Sequence, residues 1–121
     1  MSVINCWAQS CTDGFAGTWD SPSDYNISEV AADAPGANSQ NSAVIAFVNE
    51  GADDFHLDAG DTVAEGNGTD LSADAAYPIS SDIDSETMSG DFNVGPDWTA
   101  AAGGGGSIPI FYNHYRNLMN A

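Results

Sequence analysis

The sequence predicts an all-β fold, and three observations carry that prediction. Its apolar residues come in short runs, the only sustained one being residues 43–48 (AVIAFV). Turns rich in Gly, Asp, Ser and Pro separate these runs, which is the punctuation typical of short strands. No long helical pattern lies between them, which argues against a parallel sheet with crossover helices. A length of 121 residues with 42% hydrophobic residues predicts a single globular domain.

Three stretches carry the strand prediction. Residues 3–8 predict a first strand, with Ile4, Cys6 and Ala8 on one face and Val3 and Trp7 on the other. Residues 25–27 alternate, which predicts a short strand whose Tyr25 and Ile27 point inward. Residues 42–60 predict a strand, a turn over residues 49–54 and a second strand over residues 55–57.

Residues 43–48 are apolar on both faces of the predicted strand. Val44, Ala46 and Val48 share one face, and the other face consists of Ala43, Ile45 and Phe47. Because a strand of this kind is typical of sheets covered on both sides, we expect something to lie on each face of it.

The rest of the chain predicts a helical turn, a further apolar pair and a tail. Residues 69–78 predict the helical turn, which Thr69 or Asp70 would cap and Pro78 would end. Phe92 and Val94 share one face of an extended segment. We therefore expect a β domain over residues 1–98, a Gly-rich linker over residues 99–106 and a tail over residues 107–121.

The tail has the pattern of a short amphipathic helix. Its four large apolar residues follow the spacing i, i+4, i+7 and i+8 of one helix face: Phe111, Tyr115, Leu118 and Met119. A helix this short is marginally stable alone, so the pattern predicts that the tail docks on its own domain or on a partner.

Two architectures suit short strands joined by polar turns. One is a compact β-sandwich or jelly roll, and the other is a β-solenoid in which each coil stacks on the one before it. The sequence lacks the strict internal repeat that would decide for the solenoid.

The motifs DDFHLDAGD, GTDLSADAA and SSDID within residues 53–98, with NCWAQSC, GTWDSPSDYNIS and PGANS before them, carry a resemblance. Residues 3–98 resemble the C-terminal part of right-handed parallel β-helix proteins of the pectate-lyase-like kind. The resemblance implies a short right-handed β-helix whose open N-terminal end is closed by oligomerisation, as a trimer. Ser85, Met88 and the ending NVGPDW depart from the family pattern. The middle coils on which such lyases carry catalytic residues have no counterpart here, so no catalytic residue is carried over.

The C-terminal sequence GGGGSIPIFYNHYRNLMNA is similar to the glycine-then-aromatic ends of some tailed-phage structural proteins. The two resemblances together imply a non-enzymatic bacteriophage virion protein, made in the host cytoplasm. It would be a capsid decoration (cement) protein or a component of a fibre or spike, bound to viral capsid or tail proteins. The alternatives are a carbohydrate-binding module for host glycans and a degenerate, truncated polysaccharide lyase.

The charge of the chain excludes two classes of partner. The chain has eighteen acidic residues but only one Arg and no Lys, which gives a net charge of −17. Binding to nucleic acid and to anionic membranes rests on Lys and Arg, so we expect neither. The chain also lacks an apolar run long enough to span a membrane. Its start, MSVINCWAQS, lacks the features of a signal peptide, which predicts a protein kept in the cytoplasm or exported by another route.

Few side chains suggest a metal-binding or catalytic site. Asp82, Asp84 and Glu86 alternate as in a calcium loop, but the sixth and twelfth positions do not fit an EF-hand. A solvated acidic turn is the preferred interpretation, and a calcium site of another kind is the alternative. His56 and His114 have no Cys or His neighbour at a metal-binding spacing, and no catalytic triad is evident. We expect no enzymatic activity and no cofactor.

The remaining side chains with a possible role are aromatic residues and two thiols. The aromatic residues could line a sugar-binding surface, although filling a small core is the preferred interpretation: Trp7, Trp19, Trp98, Tyr25 and Tyr77. Cys6 and Cys11 are predicted to be buried thiols, with a local disulfide as the alternative.

Overall fold

The structure is a computed structural model that describes residues 1–76 and 78–98. Four short strands and one 3-10 helix form its regular elements: β1 (Trp7–Ala8), β2 (Ile27–Ser28), β3 (Phe47–Asn49), η1 (Glu50–Ala52) and β4 (Asp54–Leu57). The described residues contain no α-helix, and turns and irregular segments connect the strands. The prediction of a small all-β protein is confirmed at this level. The predicted linker and tail lie outside the described residues.

The N-terminal half is a parallel ladder, formed by residues 3–8, 24–30 and 40–43. In it β1 pairs with β2, with Trp7 opposite Ile27. Isolated parallel bridges join Ile4 to Asp24 and Ile27 to Gln40. The Ser28 amide donates to the Gln40 carbonyl at 2.9 Å, which continues the pairing into the third segment. Segments that follow each other in sequence therefore stack in parallel without a crossover helix.

Side chains complete the hydrogen bonding of this ladder. Asn26 is fully buried. Its Oδ1 accepts from the Cys6 amide at 3.1 Å, and its Nδ2 donates to the carbonyls of Val3 at 3.1 Å and Pro35 at 3.0 Å. One side chain thus joins the first segment to the loop at Pro35 and supplies the partner of the Cys6 amide.

The predicted first strand is shorter than expected. Within residues 3–8 only Trp7–Ala8 forms a strand, and the reason lies at Asn5. Its φ of 55° is left-handed and interrupts extended backbone. The Asn5 side chain instead donates to the Thr69 carbonyl at 2.7 Å and accepts from the Thr69 amide at 2.9 Å. This residue ties the start of the chain to a loop 64 positions away.

The predicted strand–turn–strand unit of residues 42–60 is present as an antiparallel hairpin. In it β3 pairs with β4, with Phe47 opposite Leu57 and an irregularity in the register before Asn49 and Asp54. The turn is η1, and it ends at Asp53, whose left-handed φ of 60° reverses the chain. The Asp53 amide closes the turn by donating to the Glu50 carbonyl at 3.1 Å.

The expectation that residues 43–48 form a strand covered on both faces is wrong. Ile45 is buried, whereas Val44 and Val48 are 56% and 55% exposed. The strand itself is confined to Phe47–Asn49, because side chains occupy the backbone groups before it. Gln9 bonds both the amide and the carbonyl of Ile45. The buried Asp61 accepts from the Ala46 amide at 2.9 Å.

The main core lies between the ladder, the hairpin and the C-terminal segment. It consists of Ile27, Ile45, Leu57, Ala64 and Val94. Three aromatic rings pack at its side with centroids 5.5 to 6.2 Å apart, in edge-on or tilted geometry: Trp7, Phe47 and Phe55. Burial of this apolar surface is the main driving force for closing the chain.

Two further expectations about the C-terminal part have different outcomes. Phe92 and Val94 are each 1% exposed, as their pattern predicts. The helical turn predicted at residues 69–78 is absent from the described residues of that stretch. Its backbone closes as a loop, because the amides of Asp74 and Ile79 both donate to the Leu71 carbonyl, and Tyr77 lies outside the described residues.

No helix within residues 1–76 and 78–98 combines the length and the apolar character that crossing a bilayer requires.

Candidate functional site

A cluster of titratable side chains joins β4 to the C-terminal loops. Asp54 and His56 are two apart on β4, so both side chains leave the same face of the strand. Nδ1 of His56 lies 2.5 Å from Oδ1 of Asp54, and Nε2 lies 3.1 Å from Oδ2 of Asp84. The imidazole ring is therefore held at both nitrogens by carboxylates.

Asp97 is the third residue of the cluster and lies on its buried side. It is only 5% exposed, and its Oδ2 accepts from the Leu57 amide at 2.7 Å. Ligand-forming atoms of His56, Asp84 and Asp97 all lie within 4.8 Å of one another. Among the described residues, no other group of three His, Cys, Asp or Glu side chains is gathered this closely.

The electrostatics of the cluster follow from these contacts. Hydrogen bonds that the ring donates, first to Asp54 and then to Asp84, favour the charged imidazolium and raise the pKa of His56 to about 9. The same contact with His56 lowers the pKa of Asp54. In the absence of any competing ligand His56 is thus a cation at neutral pH, in a chain that is otherwise strongly acidic.

The three alternating acidic residues that predicted a possible calcium loop, Asp82, Asp84 and Glu86, make separate contacts. Oδ1 of Asp82 accepts from the amides of Asp84 at 3.0 Å and Glu86 at 2.8 Å. Its Oδ2 accepts from the Trp98 amide at 3.3 Å. Asp82 therefore shapes the loop, Asp84 turns to His56, and Glu86 is exposed.

Sequence reasoning identified Asp84 and His56 separately but missed Asp97. Asp97 lies 41 positions from His56, so no spacing rule connects the two. The signal that was present is the Asp-x-His spacing on a strand, which places Asp54 beside the imidazole.

A second feature is an open cleft of about 560 Å³ in front of Tyr25. Polar residues form its other walls, among them Asn38, Asn67, Asp70 and Asp91. Tyr25 is half-buried and has a left-handed φ of 56°, which is uncommon for a bulky residue. Its amide donates to Oδ1 of Asp24 at 2.9 Å, which stabilises this conformation. The expectation that Tyr25 belongs to a strand with Ile27 is therefore wrong.

The predicted aromatic surface is dispersed. Trp7 packs on the core aromatic rings, and Trp19 packs on Phe15 while its Nε1 donates to the Phe15 carbonyl at 2.9 Å. Trp98 is half-buried near the C-terminal loop. Of these residues only Tyr25 lines the cleft.

Other predicted sites have separate outcomes. Cys6 and Cys11 are exposed free thiols, so the expectation of burial is wrong and the alternative disulfide is absent. The tail residues Phe111, Tyr115, Leu118 and Met119, together with His114, lie outside the described residues.

No protein-family model, no curated protein and no solved structure matches this chain.

Proposed function

We propose that this chain is a non-enzymatic structural protein of a tailed-phage virion, either a capsid decoration protein or a component of a fibre or spike. In this proposal the parallel ladder forms the last coils of a short right-handed parallel β-helix, and the antiparallel hairpin closes it. The protein is a homotrimer, and residues 107–121 dock on capsid or tail proteins. The motif resemblances suggest this function.

The observation that best supports the β-helix is the parallel ladder. Residues Trp7, Ile27 and Gln40 occupy successive rungs, joined by parallel pairs. Stacking of sequence-adjacent segments without crossover helices is how a β-solenoid is built. The buried Asn26 side chain bonds backbone groups of neighbouring segments, as stacked coils with irregular turns require.

An exposed apolar row supports assembly. Val44 and Val48 are more than half exposed, and Ala46 between them is exposed as well. This row continues into β3. Within residues 1–76 and 78–98, β3 belongs to a two-stranded sheet, so one of its edges pairs with no further strand there. We assign the row to the contact between copies of the chain.

Deletion of residues 103–121 tests the docking role of the tail. We expect the truncated protein to keep the far-ultraviolet circular dichroism and melting temperature of the intact chain, yet to be absent from purified particles when co-expressed with the virion proteins. Incorporation at the normal level would contradict the proposal. The matched control keeps the tail length but replaces only residues 103–106 by Ser.

The oligomeric state tests the assignment of the apolar row. Sedimentation equilibrium should give a trimer whose association strengthens with added salt, because screening reduces repulsion between chains of net charge −17. The double variant Val44→Ser, Val48→Ser should be a folded monomer. A monomeric intact chain at all salt concentrations would contradict the trimer. Self-association that weakens with added salt would contradict an apolar contact between copies.

The cleft at Tyr25 favours a second candidate, a carbohydrate-binding module. One aromatic face beside amide and carboxylate groups is the combination on which sugar rings stack and hydrogen-bond. Titration of neutral and anionic polysaccharides into the protein, followed by fluorescence, tests this candidate. Binding that Tyr25→Ala abolishes and Trp19→Phe retains would support it, and no binding to any glycan would reject it. A uronate-release assay tests the remaining alternative, a degenerate lyase.

A further inference from the structure

The cluster at His56 has a geometry that neither the assembly role nor the glycan role uses. In a tetrahedral zinc site two ligand atoms, each about 2.1 Å from the ion, lie ~3.4 Å apart. Nε2 of His56 and Oδ2 of Asp84 lie 3.1 Å apart, which is close to that spacing. An oxygen of Asp97 lies within 4.8 Å of both, so a small side-chain movement brings three ligands around one centre.

Asp97 is the buried member of the cluster. It is 5% exposed, and its Oδ2 accepts a hydrogen bond from the Leu57 amide. This bond holds the carboxylate beside His56 and Asp84, so a cation at the cluster would meet a ligand whose position the fold already fixes.

Asp54 is placed as an orienting residue. Its Oδ1 lies 2.5 Å from Nδ1 of His56, which leaves Nε2 directed toward Asp84. Metal-binding histidines commonly donate their other ring N–H to a carboxylate, which fixes the tautomer and the orientation of the ring. The same arrangement is found here around a ring nitrogen that already faces two carboxylates.

We propose that His56 Nε2 and one oxygen each of Asp84 and Asp97 bind a divalent transition-metal ion of the Zn²⁺ type, with Asp54 as the orienting residue. One nitrogen and two oxygen ligands suit Zn²⁺, whereas Ca²⁺ takes six to eight oxygen ligands. Because the side chains of His56 and Asp84 are 42% and 55% exposed, the fourth position faces solvent. The ion joins β4 to the loops over residues 82–97, so we assign it a structural role.

Calorimetric titration of Zn²⁺ into the full-length, tag-free protein tests the proposal. The background is Cys6→Ser, Cys11→Ser, because both thiols are exposed and could bind zinc themselves. We expect one equivalent to bind and to raise the melting temperature, with reversal by a chelator. His56→Gln and Asp84→Asn should abolish this binding, and Asp54→Asn should weaken it by about tenfold to a hundredfold.

Two controls separate this site from its competitors. His114→Gln removes the other histidine of the chain and should leave the affinity unchanged. Glu86→Gln removes an exposed carboxylate of the same loop and should also leave it unchanged. Zinc binding that survives His56→Gln would overturn the proposal. Calcium binding that is lost in Glu86→Gln but retained in His56→Gln would favour the acidic loop instead.

Asp97 needs a separate measurement, since Asp97→Asn disturbs the bond to Leu57 and could impair folding. The ¹⁵N resonances of the His56 ring in the intact fold avoid this difficulty. Zinc should shift Nε2 strongly and Nδ1 weakly, and carboxyl ¹³C signals of Asp84 and Asp97 should move together at the same stoichiometry. A shift of Asp84 without Asp97 would contradict the three-ligand site.

Discussion

The parallel ladder and the hairpin region are held together by different chemistry. In the ladder the fully buried residues include Asn26 and Ser28, each with an exposed fraction of 0%. Beside the hairpin the buried residues are Ile45 and Leu57, flanked by aromatic rings. Both regions have strands of only two to four residues, so backbone pairing alone stabilises neither.

The difference shows how a chain can build a stacked fold from polar residues. In the ladder, the buried Asn26 side chain bonds backbone groups of neighbouring segments, which helps to fix the register of the stack. The buried Ser28 hydroxyl bonds the Val30 amide and the Asp33 carboxylate. In the hairpin region, packing closes the structure and the register tolerates an irregularity between Phe47 and Asn49. We therefore expect the ladder to be sensitive to lost hydrogen bonds and the hairpin region to lost volume.

Replacing Asn26 by Ala should have the largest effect. The substitution leaves the Cys6 amide without its partner. It also removes one hydrogen bond from each of the Val3 and Pro35 carbonyls, which still accept from Asp24 and Ser39. At roughly 2 kcal/mol for the unsatisfied amide and ~1 kcal/mol for each lost carbonyl bond, we expect a loss of about 4 kcal/mol in the free energy of unfolding. Urea unfolding followed by tryptophan fluorescence measures it. Asn49→Ala is the control, because Asn49 is exposed and its side chain makes no capping bond.

Truncation of Ile45 tests the hairpin side of the comparison. Ile45→Ala removes buried volume from the main core and should cost about 3 kcal/mol of unfolding free energy. Its neighbour Val44 is 56% exposed, so Val44→Ala should change the stability of the protomer by less than about 0.5 kcal/mol. Equal losses for the two variants in the monomeric protein would show that the Val44 face is covered within the protomer, which the structure contradicts.

The sequence predicted the hairpin region better than the ladder, and the physical reason is the kind of residue involved. The continuous apolar run marks Ile45 as a core residue, and alternation marks Phe92 and Val94. All three are buried. Asn26 and Ser28 carry no such signal, because a polar residue in a pattern is equally consistent with an exposed position. The prediction that residues 43–48 are buried on both faces was wrong. Composition shows that both faces are apolar, but it does not show that something covers each of them.

The candidate site was predictable only in part, for a related reason. Local spacing can place Asp54 beside His56 because both belong to one strand. Nothing local connects that strand to Asp84 or Asp97, since the contact depends on how the C-terminal loops close over β4. The Asp82 carboxylate, which sequence reasoning assigned to a possible calcium loop, bonds the amides of Asp84, Glu86 and Trp98 and so helps to set that closure.

Two glycines extend the comparison to close packing. A Cβ at Gly14 would lie 2.3 Å from the Ala8 Cβ and 2.8 Å from the Asp33 carboxylate, whereas one at Gly51 in the hairpin turn would meet nothing closer than 3.8 Å. Gly14→Ala should therefore cost about 2 kcal/mol through overpacking. Gly51→Ala should be close to neutral. Thermal unfolding of the two variants measures the contrast. Comparable melting temperatures would show that the residues around Gly14 can move apart to accommodate the added methyl group.

Acidification should lower the stability of the ladder in a specific pH window. We expect this effect to be smaller than those of the three substitutions above. The Ser28 hydroxyl donates to Oδ2 of Asp33 at 2.6 Å, and the amides of Phe15 and Gly14 donate to the same carboxylate. These bonds, with a further contribution from Asp13, lower the pKa of Asp33. Because the folded pKa lies below the unfolded value of about 3.9, the carboxylate stabilises the fold above that pH, and this contribution is lost as the pH falls toward the folded pKa.

Amide resonances of Gly14 and Phe15 report this protonation directly. We expect both signals to move together below about pH 3.9, while the Gly60 amide, which donates to the exposed Asp58, serves as a reference on the hairpin side. In Asp33→Asn the shared titration of Gly14 and Phe15 should disappear. If these two amides titrate at or above the ordinary aspartate pKa, the three donors do not stabilise the ionised Asp33 carboxylate. The hydrogen bonds at Asp33 would then orient the loop without adding to the stability of the fold.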